Sequence, residues 1–138
     1  TTAVLGDRLG AILFQLPPFL RKDLPRLRDF LAALPAERRV AMEFRHQSWQ
    51  DEEVYSGLRE RGAALCVADT DAGETPFIAT SDSGYLRLRR THYDDKDLAA
   101  WVERIKAQPL ARAYVYFKHE DEALGTKFAT RFRELWQA

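Results

Sequence analysis

The stretch Arg39-Val40-Ala41-Met42-Glu43-Phe44-Arg45-His46 decides how this chain is read. A strand turns alternate residues to opposite faces. Val40, Met42 and Phe44 then share an apolar face, while Glu43 and Arg45 share the other. Charge concentrates toward the C-terminal end of one phase. Parallel sheets are usually covered on both faces, so a charged face inside such a sheet calls for an enclosed polar site.

The same pattern recurs outward along the chain. Four other apolar runs read as strands: Leu9–Leu16, stopped by Pro17-Pro18; Ala63–Asp69; Gly84–Arg90; and Ala113–His119. Ile12, Phe14 and Leu16, Leu86 and Leu88, and Val115 and Phe117 form their apolar phases. The opposite phase carries Gln15, then Asp69 behind Leu65 and Val67, then Arg87 and Arg89, then Tyr114, Tyr116 and Lys118. Between the runs, helical spacing predicts helices over 24–34, from Ser48 or Asp51 to Arg61 with Gly62 as the stop, over 95–107 and over 121–137. Residues 70–83, with Gly73 and Pro76, read as an irregular connection.

Strand–helix alternation of this kind predicts an α/β chain with a parallel sheet. It fits an open doubly wound sheet or part of a (β/α) barrel. No glycine-rich phosphate loop follows any strand, which argues against a nucleotide-binding doubly wound sheet. The charged phase favours the barrel, whose inward residues converge at the C-terminal strand ends where barrel enzymes place their chemistry.

Composition removes whole classes of function. The 138 residues hold 21 Lys+Arg against 21 Asp+Glu, so a nucleic-acid partner would need a local basic patch rather than a bulk field. The single cysteine, Cys66, excludes an internal disulfide and a cysteine-rich zinc module. No apolar run is long enough for a membrane span and no secretory signal opens the chain, so a cytoplasmic protein without a membrane partner is expected.

Phe14-Gln15-Leu16-Pro17-Pro18, Glu43-Phe44-Arg45-His46 with Ser48-Trp49, Ala64-Leu65-Cys66 leading to Asp69, Tyr85-Leu86-Arg87-Leu88, Tyr93, Trp101 and Tyr114-Val115-Tyr116-Phe117 together resemble the YecE-like family. That family is a widespread domain of unknown function, and the match runs nearly the whole chain in order. The resemblance implies a TIM-like (β/α) barrel of which this chain forms the later part, its last five βα units. It supplies no established reaction, and likeness of the fold to nucleases or sugar-phosphate isomerases is analogy only. The chain departs from the family pattern at Lys118-His119-Glu120 and Thr126-Lys127-Phe128, where relatives carry asparagines.

Several inward residues have chemistry to offer. Glu43, with His46 and Asp69, forms the candidate catalytic set: a carboxylate acid/base, a near-neutral proton shuttle and a second carboxylate. His46 stands in the opposite phase to Arg45, so capping the strand end is an equal reading. Arg45, Arg87, Arg89 and Lys118 outnumber the inward carboxylates and would clamp an anion. Gln15, Trp49, Tyr93 and Tyr116 complete the candidate binding set, the aromatics as stacking faces. The expected partner is a small anionic ligand, a phosphorylated sugar or a fragment derived from nucleic acid, and nucleic acid itself stays open. No cofactor is expected; a divalent metal on His46, Asp69 and Glu43 is the lesser alternative. Whether the chain is an enzyme, a non-catalytic anion-binding module or a barrel with a purely structural charge network stays open. As part of a barrel, its open sheet edges would invite self-association.

Overall fold

The computed structural model describes residues 11–35, 38–117 and 122–137. The chain alternates β1 (Ala11–Gln15), α1 (Leu24–Ala33), β2 (Arg39–Glu43), a 3-10 turn (Gln47–Trp49), α2 (Glu52–Arg61), β3 (Ala64–Thr70), β4 (Gly73–Glu74), β5 (Ser83–Leu88), α3 (Asp95–Lys106), β6 (Arg112–Phe117) and α4 (Glu122–Gln137). The sheet runs β1-β2-β3-β5-β6, with β4 paired to β3. Every pairing along that path is parallel; β4 alone runs antiparallel. Each new strand is laid beside the one before it. That is the singly wound order of a (β/α) barrel, with no reversal of the kind a doubly wound sheet shows.

The helices start and stop where local chemistry sets them. Asp23 caps α1, with Pro25 in its first turn, where the missing N–H costs nothing. Asp51 caps α2, Glu52 and Glu53 fill its first turn, and Arg59 and Arg61 its last, each charge matched to the helix dipole. Gly62 ends α2 at φ 73°, a left-handed conformation that a side chain would strain. Asp94 and Asp97 form a reciprocal capping box on α3.

The helices pack on one face of the sheet in two clusters. Leu27 and Leu31 of α1 and Val54 and Leu58 of α2 meet Val40, Met42 and Leu65. Leu98, Trp101, Val102 and Ile105 of α3 and Phe128 and Phe132 of α4 meet Val67, Leu86 and Leu88. The other face carries Ala41, Ala64, Cys66, Tyr85 and Tyr114, with Leu13 against them. This second face is the barrel-inward face.

The expected strands and helices are present within a few residues of their ends. Leu9 and Gly10 of the first run, and Lys118 and His119 of the last, lie outside the described residues. The third crossover differs. Thr70 and Gly73 pair across a tight turn to form β4, and residues 75–82 return to β5 without a helix. Thr80 anchors that return: its buried hydroxyl donates to the Ala63 carbonyl (2.6 Å) and accepts from the Leu65 N–H (3.0 Å).

Candidate functional site

Strand register assembles the site. Ala41 pairs with Ala64, Cys66 with Tyr85, Ala68 with Arg87, and Tyr85 and Arg87 with Tyr114 and Tyr116. The inward rows are therefore Glu43–Cys66–Tyr85–Tyr114 and, one step nearer the C-terminal ends, Arg45–Ala68–Arg87–Tyr116. β3 contributes only small inward residues, Ala64, Cys66 and Ala68. They form a low floor between the long side chains of β2 and β5.

Arg87 reaches over that floor. Its Nη1 donates to Glu43 Oε1 at 2.5 Å, and both side chains are nearly buried. Gln15 Nε2 donates to the same oxygen at 2.9 Å. Among the described residues Glu43 Oε2 has no partner, and Glu43 lines an open cleft of about 630 Å³. Arg45, Ala68, Thr70, Glu74, Thr75 and Arg89 line it as well. Glu74, at the rim, is engaged by Arg104 at 3.1 Å. Among the described residues neither Arg45 nor Arg89 has a carboxylate partner. The cleft thus holds two uncompensated guanidinium groups beside a carboxylate whose charge is already met by Arg87.

Burial sets the ionisation of the neighbouring groups. The Cys66 thiol, 1% exposed, is pushed well above its ordinary range by burial, with the Glu43 charge adding to it. A thiol held neutral is a small apolar filler, not a nucleophile. Burial likewise pushes the Tyr85 hydroxyl up to about 12, so it stays a neutral donor.

Asp69 is the main correction. The expectation placed it in the inward phase with Glu43; its register partner is Leu88, on the helix-facing side. Its Oδ2 accepts from Arg90 Nε (3.0 Å), Tyr93 Oη (2.9 Å) and Trp101 Nε1 (3.2 Å). The Arg90 guanidinium also lies over the Tyr93 ring, 4.5 Å from its centre. Asp69 is 4% exposed, and its side chain knots the end of β3 to β5 and α3 on the face of the strand away from the charged cleft. The phase was misread because both faces of β3 are apolar. Size would have resolved it: Leu65 and Val67 match the outward Met42 and Leu86, while Ala64, Cys66 and Ala68 do not. Arg90, which the sequence offers only as the end of a strand, is the partner this misreading concealed.

Three more candidates lie elsewhere. Trp49 is buried, stacks on Phe44 at 4.6 Å between ring centres, and donates Nε1–H to the Leu20 carbonyl at 2.8 Å. Tyr93 belongs to the Asp69 knot. His46 caps the 3-10 turn, its Nδ1 accepting the Ser48 N–H at 3.1 Å. Glu43, His46 and Asp69 are therefore not brought together. Among the described residues no group of three His, Cys, Asp or Glu side chains is placed to hold a metal. Lys118 lies outside the described residues. The structure does bring together Gln15, Glu43, Arg45, Arg87 and Arg89, with Tyr116 on the strand next to Arg87.

A singly wound parallel α/β sheet, helices on one face and a charged cleft at the C-terminal strand ends on the other, defines a barrel-type domain. Within that class the chain belongs to the DUF72 family: the model described as "Protein of unknown function DUF72" matches residues 1–138. This is the YecE-like family that the sequence resembles. Solved structures share the fold. A DUF72 family protein of Thermotoga maritima superposes with a TM-score of 0.77 at 24% identity, over 91% of this chain and 57% of that one. One of Enterococcus faecalis gives 0.74 at 15% identity, over 93% and 58%. The chain thus spans somewhat under two thirds of the length of the solved proteins it matches. No curated protein matches it by sequence. No helix among the described residues is long and apolar enough to cross a membrane.

Proposed function

We propose that the cleft binds a small anion of the phosphate-ester type, and that Glu43 moves a proton on the bound molecule. One observation carries this reading: Arg45 and Arg89 line the same cleft as Glu43 and have no carboxylate partner among the described residues. Charge that is not met within the site is met by a ligand, and a guanidinium fork fits a tetrahedral oxyanion. Arg87 and Gln15 fix Glu43 through one oxygen, which orients the other toward the cleft. A carboxylate so held is preorganised for general acid–base work. The site sits at the C-terminal strand ends, where barrel enzymes carry their chemistry. Placing this chain as the later units of a longer barrel is part of the same proposal.

A thermal-shift series with inorganic phosphate, sugar phosphates, nucleotides and short oligonucleotides tests it. A phosphate-bearing ligand should raise the melting temperature of the wild type, and Arg89→Ala should abolish that rise. With a stabilising ligand in hand, Glu43→Gln should retain binding and lose turnover. No shift from any anion would overturn the reading.

A further inference from the structure

The paired arginines account for the charged end of a ligand; the inward tyrosines of β5 and β6 account for what the charge is attached to. We propose that the ligand is a ring-bearing phosphate ester, with its phosphate between Arg45 and Arg89 and its ring on the face of Tyr116. This rests on the anion-site reading above and goes further, to the class of the ligand's uncharged part.

Tyr116 is the register partner of Arg87 on the adjacent strand. Neighbouring strands lie about 4.8 Å apart, so its ring stands one strand from Arg87 and Arg89, with Arg45 three strands off across β3. Exposure rises along β6 toward its C-terminal end, from 0% at Ala113 and 4% at Tyr114 to 37% at Tyr116, which stands beside the cleft rather than in its lining. The Tyr116 ring leans on Tyr85, with centres 5.2 Å apart and planes at 36°. Tyr85 is nearly buried, but its hydroxyl, which has no hydrogen-bond partner among the described residues, reaches solvent: no buried side-chain polar atom among them lacks a partner. As a neutral hydroxyl, it is a donor for a hydroxyl or carbonyl oxygen on the ring. An exposed aromatic face, a spare donor and two arginines on the same side of the sheet, Arg89 one strand from Tyr116 and Arg45 three, match a phosphate ester with a sugar or base. A bare phosphate would leave the first two unused.

Titration calorimetry on the full chain tests this with four probes: inorganic phosphate, glycerol 3-phosphate, ribose 5-phosphate and a nucleoside 5′-monophosphate. At least one ring-bearing probe should bind about tenfold or more tightly than glycerol 3-phosphate, the scale of one stacked ring. The ribose and nucleotide arms separate a sugar ring from a base. Tyr116→Ala should erase the ring's advantage while glycerol 3-phosphate binds as before, and Tyr116→Phe should keep it. Equal affinity for cyclic and acyclic esters in the wild type would overturn the inference and leave the anion site standing. So would an equal loss for every probe in Tyr116→Ala. If none of the probes binds, the anion site falls and this inference falls with it.

Discussion

Arg87 of β5 bonds to Glu43 of β2 across an intervening strand, Nη1 to Oε1 at 2.5 Å, with Cys66 and Ala68 beneath the span. The bridge is possible only because β3 presents small residues inward. Its cost is the desolvation of two charges, so its loss should be felt asymmetrically. Removing one partner strands the other in a low-dielectric site, at about 3–5 kcal/mol. Arg87→Met should lose on that scale in urea unfolding. The double variant Glu43→Gln/Arg87→Met should recover much of it, since an uncharged pair leaves no orphan charge.

Arg45 and Arg89 behave oppositely. Without carboxylate partners among the described residues, their removal costs the fold little, within about 0.5 kcal/mol as for surface sites. Ligand affinity is where they should register. Arg45→Ala and Arg89→Ala are expected to keep the wild-type urea midpoint and to lose the response to phosphate esters. Residual binding should weaken as salt rises.

Asp69→Asn separates the helix-side knot from the cleft. The change weakens charge-assisted bonds from Arg90, Tyr93 and Trp101, each worth about 1.5–3 kcal/mol. Stability should fall by a few kcal/mol, while ligand affinity, measured on the folded fraction, should hold. A loss of affinity without a loss of stability would return Asp69 to the site.

The buried thiol sets an alkaline limit. Cys66 stays protonated in the fold at pH values where the unfolded chain releases its proton, because burial pushes its pKa up. The unfolded state then binds fewer protons than the folded one. Stability is whole below the ordinary thiol range and declines above it, by up to about 1.4 kcal/mol per pH unit from this group. Tyr85 and Tyr93, also raised by burial, act in the same direction at higher pH. Urea unfolding from pH 7 to 10 should show the decline, and Cys66→Ala should soften its onset. Iodoacetamide should label Cys66 only after unfolding.

Much of this fold was legible because polarity and periodicity agree. On β2 and β5, large aliphatics mark one phase and charges the other, so Glu43, Arg45, Arg87 and Arg89 could be grouped before any coordinates. Gly62 announced the end of α2 in the same local way, and Asp51 was one of two candidates, with Ser48, for its start. β3 was illegible by that rule, since Ala64, Cys66 and Ala68 are as apolar as Leu65 and Val67; side-chain size, not polarity, marks its phase. β4 was missed because its two residues carry no periodicity at all. Trp49 was misplaced, and His46 left between two readings, for a related reason: a residue just past a strand can turn toward either layer. Here Trp49 stacks on Phe44, and His46 takes the capping role, its Nδ1 accepting the Ser48 N–H.

The helix-free return after β3 has one more consequence. In the other crossovers a helix separates what happens at the C-terminal strand ends from the next strand's entry. Here the wall of the cleft, Glu74 and Thr75, continues within a few residues into Thr80, whose hydroxyl is clamped to the start of β3. Both ends of one strand are therefore tied to one short tether. Any ligand that draws the Glu74–Thr75 wall inward pulls directly on a buried backbone anchor at the far end of the sheet. Occupancy of the mouth should thus be readable as slowed amide exchange at Leu65, on the opposite floor of the domain.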